Sequence, residues 1–392
     1  MNRIVRAELL LSSYRYREAE IWHWPGGEYR GWTTAFVRLT DDTGQTGLGE
    51  IGDGLNTPLL IRPLYERAAR LVKGLPVSPR AVRDALVRSA PGWGAAGLFQ
   101  SVIAGFELAT FDLLGRISSL PAHQLLGGAK AQTVTPYASG GLSTDPDEIH
   151  REVSGHVERG FGAVKIRIGF GAGMDTDRVA AARDALGPER HLMLDLGASY
   201  LPEPPDWRQV MALYEALAPA DPYWLEDPLP RRDVEGHARL RRELPTRIAT
   251  GENERDVDLV QRWLDAGAID ILQTDVLYVG GILSQLELAE LAHRHGVALA
   301  PHSWCSGPGL MANLTTVATA PAGLWLEYPQ PRNPFREGTL ATPLQLAQGR
   351  IPVPDAPGLN VSLPATLENM DFDEEAGPVL RNAVGAGDGS RS

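Results

Sequence analysis

AVKIRIG (163–169), HLMLDLG (191–197) and YWLEDP (223–228) are short apolar runs, and each carries a charged side chain near its C-terminal end. Five more runs of the same kind surround them: TVTPYAS (133–139), RIATGE (247–252), DILQTD (270–275), VALAPHS (297–303) and LWLEYP (324–329). The polar residues at or near their ends are Ser139, Lys165 with Arg167, Asp195, Glu226, Glu252, Asp275, His302 and Glu327. From Lys165 onward they recur every 23 to 31 positions. That interval holds one strand, one helix and two loops. Runs rich in Val, Ile and Leu without clean alternation suit strands covered on both faces of a parallel sheet.

The segments between the runs read as helices. DPDEIHREVSGHVERG (145–160) has an acidic start and a glycine stop, ERDVDLVQRWLDAGA (254–268) repeats that punctuation, and GILSQLELAELAHRHG (281–296) ends in His, Arg, His and Gly. Cations in a last turn followed by glycine are C-terminal signals. Eight strands alternating with helices give an α/β chain with a (β/α) barrel, in which functional groups sit at the C-terminal ends of the strands. A doubly wound open sheet would gather function at one switch point and carry a Gly-rich phosphate turn. Here function is spread over every strand end, which favours the barrel.

The 392 residues suffice for a large core and for two domains. The formal net charge of −12 argues against nucleic acid or an anionic membrane as partner. An anionic small molecule is still accommodated, because a metal and local cations reverse the field. A lone cysteine, Cys305, excludes an intrachain disulfide and points to a reducing, cytoplasmic setting. No uninterrupted apolar run of about 18 residues stands out, and MNRIVRAELLLSS is too alternating for a signal peptide.

Residues 1–60 read as antiparallel strands with a hairpin near Asp42–Gly44. Between those strands EIWHWPGGEYRGW (20–32) is dense in aromatics and hinged on glycine, the makings of a lid, with Trp22, His23 and Trp24 as candidate substrate contacts. Helices are expected over about 59–73, 78–90 and 97–117, the last apolar almost all round and therefore buried. A first, α+β domain closes near Gly128, the barrel covers 129–328, and the Pro-rich segment 329–370 follows. The small and polar tail, 371–392, is expected to be flexible.

Asp195, Glu226 and Glu252 end three successive strands. Three carboxylates at one barrel mouth repel unless a cation sits among them, and an all-oxygen set suits a hard ion such as Mg²⁺. Asp275 and His302 end the next two strands, where a carboxylate can fix one imidazole nitrogen and leave the other facing the site. Lys165 and Arg167, two apart, share a face of their strand. They can bind an anion or assist at an enolate; Lys165 is a base if Arg167 and a metal lower its pKa, and otherwise an ion-pair partner of the barrel acids. Glu327, protonated, can donate to a developing oxyanion; ionised, it can bind a hydroxyl. Ser139, Trp304 and Tyr328, near strand ends, are further candidate substrate contacts.

With these residues in hand, the chain resembles the enolase superfamily, in its mandelate racemase subgroup. FELATFDLLGRISSLPAHQLLGG (106–128) is similar to the family's passage from capping domain to barrel, and VKIRIG, LDLG, LEDP, TGEN, the Asp275/His302 pair and LEYP follow in the family's order. The resemblance implies a modified TIM barrel, (β/α)7β, with an α+β capping domain built from the N-terminal segment and the C-terminal return. It implies Mg²⁺ on Asp195, Glu226 and Glu252, an acid/base dyad of His302 with Asp275, Glu327 as electrophilic partner, and a homo-oligomer. The chain departs from the subgroup at two places. Arg167 stands where a second lysine usually serves as base, and Gly197 stands where many relatives have Asn. Arginine stays protonated and is a poor base, which argues against a two-base racemase.

The activity so implied is dehydration of a sugar acid. The alternatives are racemisation or epimerisation of a 2-hydroxy acid through the same enolate, a non-catalytic metal- or ligand-binding relative and, on fold alone, a metal-dependent aldolase. Cycloisomerases of the sister subgroup usually carry a lysine where this chain has its dyad.

Overall fold

The computed structural model describes residues 2–380 except 93 and 95. The first strands are β1 (Ile4–Arg15), β2 (Trp22–Trp24), β3 (Gly27–Tyr29), β4 (Gly31–Asp41) and β5 (Thr46–Ile51). β1, β4 and β5 form an antiparallel sheet. Helices α1 (Pro58–Val72), α2 (Pro79–Arg88) and α3 (Leu98–Ser118) follow. α3 lies on β5 so closely that a Cβ at Gly47 or Gly49 would strike its backbone at Ala109 and Gly105. The helix is long and apolar enough, by length and composition, to cross a membrane. It is nevertheless packed inside the protein, with the side chains of Glu107 and Asp112 buried.

A short α4 (Ala122–Leu125) and β6 (Thr133–Val134) lead into the barrel. Its strands are β7 (Pro136–Gly140), β8 (Ala163–Arg167), β9 (His191–Asp195), β10 (Pro222–Glu226), β11 (Arg247–Thr250), β12 (Ile271–Leu272), β13 (Ala298–Leu299) and β14 (Leu326–Pro329). They form one sheet, ordered β13-β12-β11-β10-β9-β8-β7-β14, and every pairing is parallel. The ring closes where Leu299 N donates to Ala322 O at 2.9 Å and Leu324 N donates to Leu299 O at 2.8 Å. Between the strands run α5 (Pro146–Glu158), α6 (Ala172–Leu186), α7 (Trp207–Leu217), α8 (Val234–Glu243), α9 (Val257–Asp265), α10 (Ile282–Arg294) and α11 (Gly307–Thr319). The order of elements is that of a (β/α)7β barrel, as expected from the sequence.

Alternation along the strands sorts the side chains. Val164, Ile166, Leu192, Leu194, Leu225 and Ile248 point outward into the helix layer. Tyr137, Ala163, Met193, Trp224, Ile271, Ala300 and Trp325 fill the barrel interior. Two residues beyond each of these, and so on the same face, stand Ser139, Lys165, Asp195, Glu226, Gln273, His302 and Glu327.

The chain then passes through α12 (Pro334–Gly338), β15 (Ile351–Pro352), α13 (Ala365–Glu368) and β16 (Pro378–Leu380). β15 pairs with β6, while β16 adds to the β2–β3 hairpin. The expectation of a flexible tail from residue 371 is therefore corrected for 378–380, which gain ladder hydrogen bonds from β3; 381–392 lie outside the described residues. Two buried acids fasten the first domain to the barrel. Glu107 accepts from Ile282 N (2.6 Å) and Leu283 N (3.0 Å), and Glu50 accepts from Ser306 N (2.8 Å) and Gly309 N (3.0 Å). Each satisfies orphan donors at a helix N-terminus, of α10 and α11 respectively.

Candidate active site

Asp195, Glu226 and Glu252, all buried, each offer an oxygen within 4.8 Å of the others. Lys165 enters the same cluster: its Nζ donates to Glu226 Oε1 at 2.6 Å, lies 2.8 Å from Glu327 Oε1 and is 3.5 Å from Asp195 Oδ2. Arg167 Nη1 donates to Asp195 Oδ1 at 2.7 Å. Burial opposes the Lys165 ammonium, but Glu226 and Glu327 prevail and hold its pKa well above the ordinary lysine value. Without a metal, Lys165 is thus the ion-pair partner of the barrel acids; the expectation of a base is tied to a metal beside it.

His302 Nδ1 faces Asp275 Oδ2 at 2.9 Å, and its Nε2 is 4.0 Å from Glu252 Oε2. Asp275 is itself held, because Asn313 Nδ2 donates to its Oδ1 at 3.1 Å and to the His302 carbonyl at 2.9 Å. Burial works against the imidazolium, yet the Asp275 hydrogen bond and the charges of Glu327 and Glu252 push His302 up to about 9. Glu327 accepts from Ser303 N at 2.8 Å and Trp304 Nε1 at 3.1 Å. Against burial, Lys165 and His302 draw it down to about 2, which favours the ionised, accepting form. Glu226 accepts from Trp224 Nε1 at 3.1 Å and Gln273 Nε2 at 2.7 Å. Burial, with Asp195 and Glu327 nearby, still raises its pKa to about 8.

The charge balance tests a metal directly. Five buried carboxylates (Asp195, Glu226, Glu252, Asp275, Glu327) face two permanent cations, Lys165 and Arg167, plus the titratable His302. The deficit of positive charge and three converging oxygens fit a hard divalent ion.

A cavity of about 430 Å³ opens above the cluster, lined by Trp22, Trp24, Arg167, Glu252, His302 and Trp304 among others. Trp22 stacks on Tyr29 at 4.0 Å between ring centres and meets Trp304 edge-on at 5.2 Å. Two expected contacts fall elsewhere. His23 points away from its neighbours in β2 and pairs with Glu28 at 3.4 Å, half exposed. Tyr328 points outward from β14 and stacks on Phe161 at 6.4 Å. Ser139 lies beneath the cavity wall, accepting from Trp304 Nε1 at 3.2 Å. Sequence reading missed Gln273, Asn313, Tyr200, Arg231 and Asn253. Alternation would have found Gln273, two beyond the inward Ile271; the others come from loops and helices without such a signal.

Residues 148–366 match the family model described as Enolase C-terminal domain-like. The chain belongs to the enolase superfamily. It is 32% identical over 282 residues to the D-galactarolactone cycloisomerase of Agrobacterium fabrum, covering 69% of this chain and 73% of that one. To the L-talarate/galactarate dehydratase of Salmonella typhimurium it is 32% identical over 273 residues, 69% of this chain and 65% of that one. A solved structure of the latter enzyme, liganded with Mg and L-lyxarohydroxamate, superposes with a TM-score of 0.82 at 25% identity, covering 94% of this chain and 93% of that one. The likeness extends over the capping domain as well as the barrel. The superfamily assignment made from the ordered strand-end residues is upheld.

Proposed function

We propose that this enolase-superfamily chain is a Mg²⁺-dependent dehydratase of a sugar acid, removing the C2 proton and expelling the 3-hydroxyl as water to leave an enol that tautomerises to a 2-keto-3-deoxy acid. The observation that carries the reading is the one-sidedness of the site. His302 is the group with a free, titratable nitrogen facing the acidic cluster. Lys165 and Arg167, three strands away through β14 and β7, are committed as cations to carboxylates. One base serves elimination, whereas racemisation needs a base on each face of a planar enolate.

Asp195, Glu226 and Glu252 would hold the Mg²⁺, which supplies Lewis-acid stabilisation of the charge that develops on the substrate carboxylate. His302 Nε2 takes the C2 proton while Asp275 steadies the resulting imidazolium. The same imidazolium then protonates the departing 3-hydroxyl, so the elimination is syn. Lys165 remains an ammonium and stabilises the enediolate electrostatically. A cytoplasmic setting, from the lone Cys305, and a homo-oligomeric state, from the family resemblance, are part of the same proposal.

The test is turnover of four- to six-carbon sugar acids, mono- and dicarboxylic, to 2-keto acid with Mg²⁺ and with EDTA. Metal-dependent product is expected, and His302→Asn should lower its rate by about 10²–10⁴-fold; a variant that kept most of the rate would refute the assignment. The cycloisomerase relative favours a second reading, isomerisation of a sugar-acid lactone by the same proton removal. Product mass separates the two, since dehydration loses one water and isomerisation loses nothing.

A further inference from the structure

Arg231, in the loop after β10, lines the cavity, and its guanidinium makes no hydrogen bond or ion pair among the described residues. Its Nη1 is buried and unpartnered. The other cations of the cavity are committed: Arg167 to Asp195 at 2.7 Å and Arg255 to Asp53 at 2.7 Å. Lys165 is shared by three carboxylates. The carboxylate whose field acts most on Arg231 is Asp227; its Oδ1 takes the Thr250 hydroxyl, its Oδ2 is buried without a hydrogen-bond partner, and no ion pair within 4 Å joins it to Arg231. A buried guanidinium N–H without an acceptor is costly to maintain in a folded protein. Retaining one in a ligand cavity makes sense when the ligand brings the acceptor, and guanidinium matches a carboxylate best.

We propose that Arg231 binds a second carboxylate of the substrate, so that the chain prefers dicarboxylic sugar acids (aldarates) over monocarboxylic ones (aldonates). This rests on the sugar-acid reading above. In that reading the first carboxylate would lie at the acidic cluster, where Asp195, Glu226 and Glu252 would hold the Mg²⁺ beside Lys165, and Arg231 is left for the far end. The indoles of Trp22 and Trp304 lie along the same cavity and suit the C–H faces of the carbon chain between the two carboxylates.

The experiment compares matched pairs, galactarate with galactonate and glucarate with gluconate, on the Mg²⁺-loaded protein. Binding by calorimetry and turnover to 2-keto acid are measured separately. The expected result is tighter binding of the diacid, and in Arg231→Met a loss of about a hundredfold in diacid affinity with less than threefold change for the monoacid. Arg231→Lys should recover part of the diacid preference. Equal losses for both acids, or unaltered diacid binding, would overturn the proposal and leave Arg231 a counter-charge to Asp227. Monoacid-only binding or turnover would overturn it while leaving the dehydratase standing. Diacid binding that needs Arg231 without 2-keto acid formation would uphold the subsite and remove dehydration of these two diacids. No binding of either pair would overturn the subsite.

Discussion

The guanidinium of Arg167 occupies the space that a side chain at Gly197 would fill: a Cβ built at Gly197 collides with Arg167 Nη1, the atom bound to Asp195. The two departures from the expected family pattern therefore meet in space. The glycine two residues after Asp195 leaves room for the Arg167 guanidinium on β8. Gly197 also sits at φ 56°, in the left-handed region that glycine and, less readily, asparagine adopt.

That coupling predicts a non-additive cycle. Gly197→Asn should displace the guanidinium, break its bond to Asp195 and cut kcat by more than about tenfold, with the fold retained. Arg167→Lys, shorter, should tolerate asparagine at 197. The double variant should then exceed the expectation from the two singles by about 1–3 kcal/mol, as contacting residues do. Purely additive rates would show that Arg167 and Gly197 act independently.

Much of this site was legible because strands two residues deep in period bring every second side chain to one face. The series Ala163/Lys165, Met193/Asp195, Trp224/Glu226 and Trp325/Glu327 is readable once the eight runs are recognised. The same rule, applied strictly, would have turned Tyr328 outward, since Glu327 points in, and would have separated His23 from Trp22 and Trp24. What the sequence could not carry were groups whose position depends on long-range packing. Asn313, within α11, reaches Asp275 from 38 residues away, and Glu107 reaches α10 from a separate domain. The strand at 378–380 was hidden for a related reason: Pro378–Leu380 is too short for alternation to show, and its order comes from pairing with Gly27–Tyr29.

Cation loading should release protons, and more tightly so as pH rises. Glu226 at about 8 and His302 at about 9 both lie above their ordinary values. Both shifts favour the protonated forms in the absence of a divalent ion, and an ion beside Glu226 and Glu252 favours their deprotonated forms. Mg²⁺ affinity should therefore climb between pH 6 and 9. Calorimetry in two buffers of different ionisation enthalpy would measure the protons released; none released would refute it.

The same shifts fix the sign of a stability effect. A folded-state pKa raised above the unfolded one contributes stability that is complete below the unfolded value and is lost as pH rises through the folded value. For Glu226 that loss runs from the ordinary carboxylate range up to about 8, and for His302 from about 6.5 up to about 9. Glu327, drawn down to about 2, acts oppositely and only in acid. The metal-free melting temperature should fall from pH 6 to pH 9, and Mg²⁺ should raise it more at pH 9 than at pH 6.

Glu107→Ala would leave Ile282 N and Leu283 N without an acceptor at the start of α10. Each buried orphan donor costs about 1–3 kcal/mol, so urea denaturation should report a loss of about 2–4 kcal/mol. Glu107→Gln, which keeps an acceptor oxygen, should lose less. Gly281 belongs to the same joint, since a Cβ there would strike the Glu107 carboxylate. Gly281→Ala should be destabilising as well, and an unchanged midpoint for both residues would mean that the α10 N-terminus finds its acceptors elsewhere.

Trp304 links the aromatic wall to the charge cluster, and its two functions are separable. Its indole N–H donates to Glu327 Oε1 at 3.1 Å and to Ser139 Oγ at 3.2 Å, while its ring meets Trp22 edge-on at 5.2 Å. Trp304→Phe keeps an aromatic face and deletes the donor. It leaves Glu327 with one fewer hydrogen bond beside Lys165 and His302, so the effect belongs in kcat, at about tenfold, with KM nearly unchanged. Trp22→Ala deletes the wall and leaves the donor in place, so its effect belongs in KM. If substrate stacks on this wall, the loss should match that of one aromatic contact, about 0.5–1.5 kcal/mol or up to roughly tenfold. Steady-state kinetics on the two variants decide the point. A KM effect from Trp304→Phe with kcat intact would mean that Glu327 is held by Ser303 N and Lys165 alone, and that the indole N–H serves the ligand.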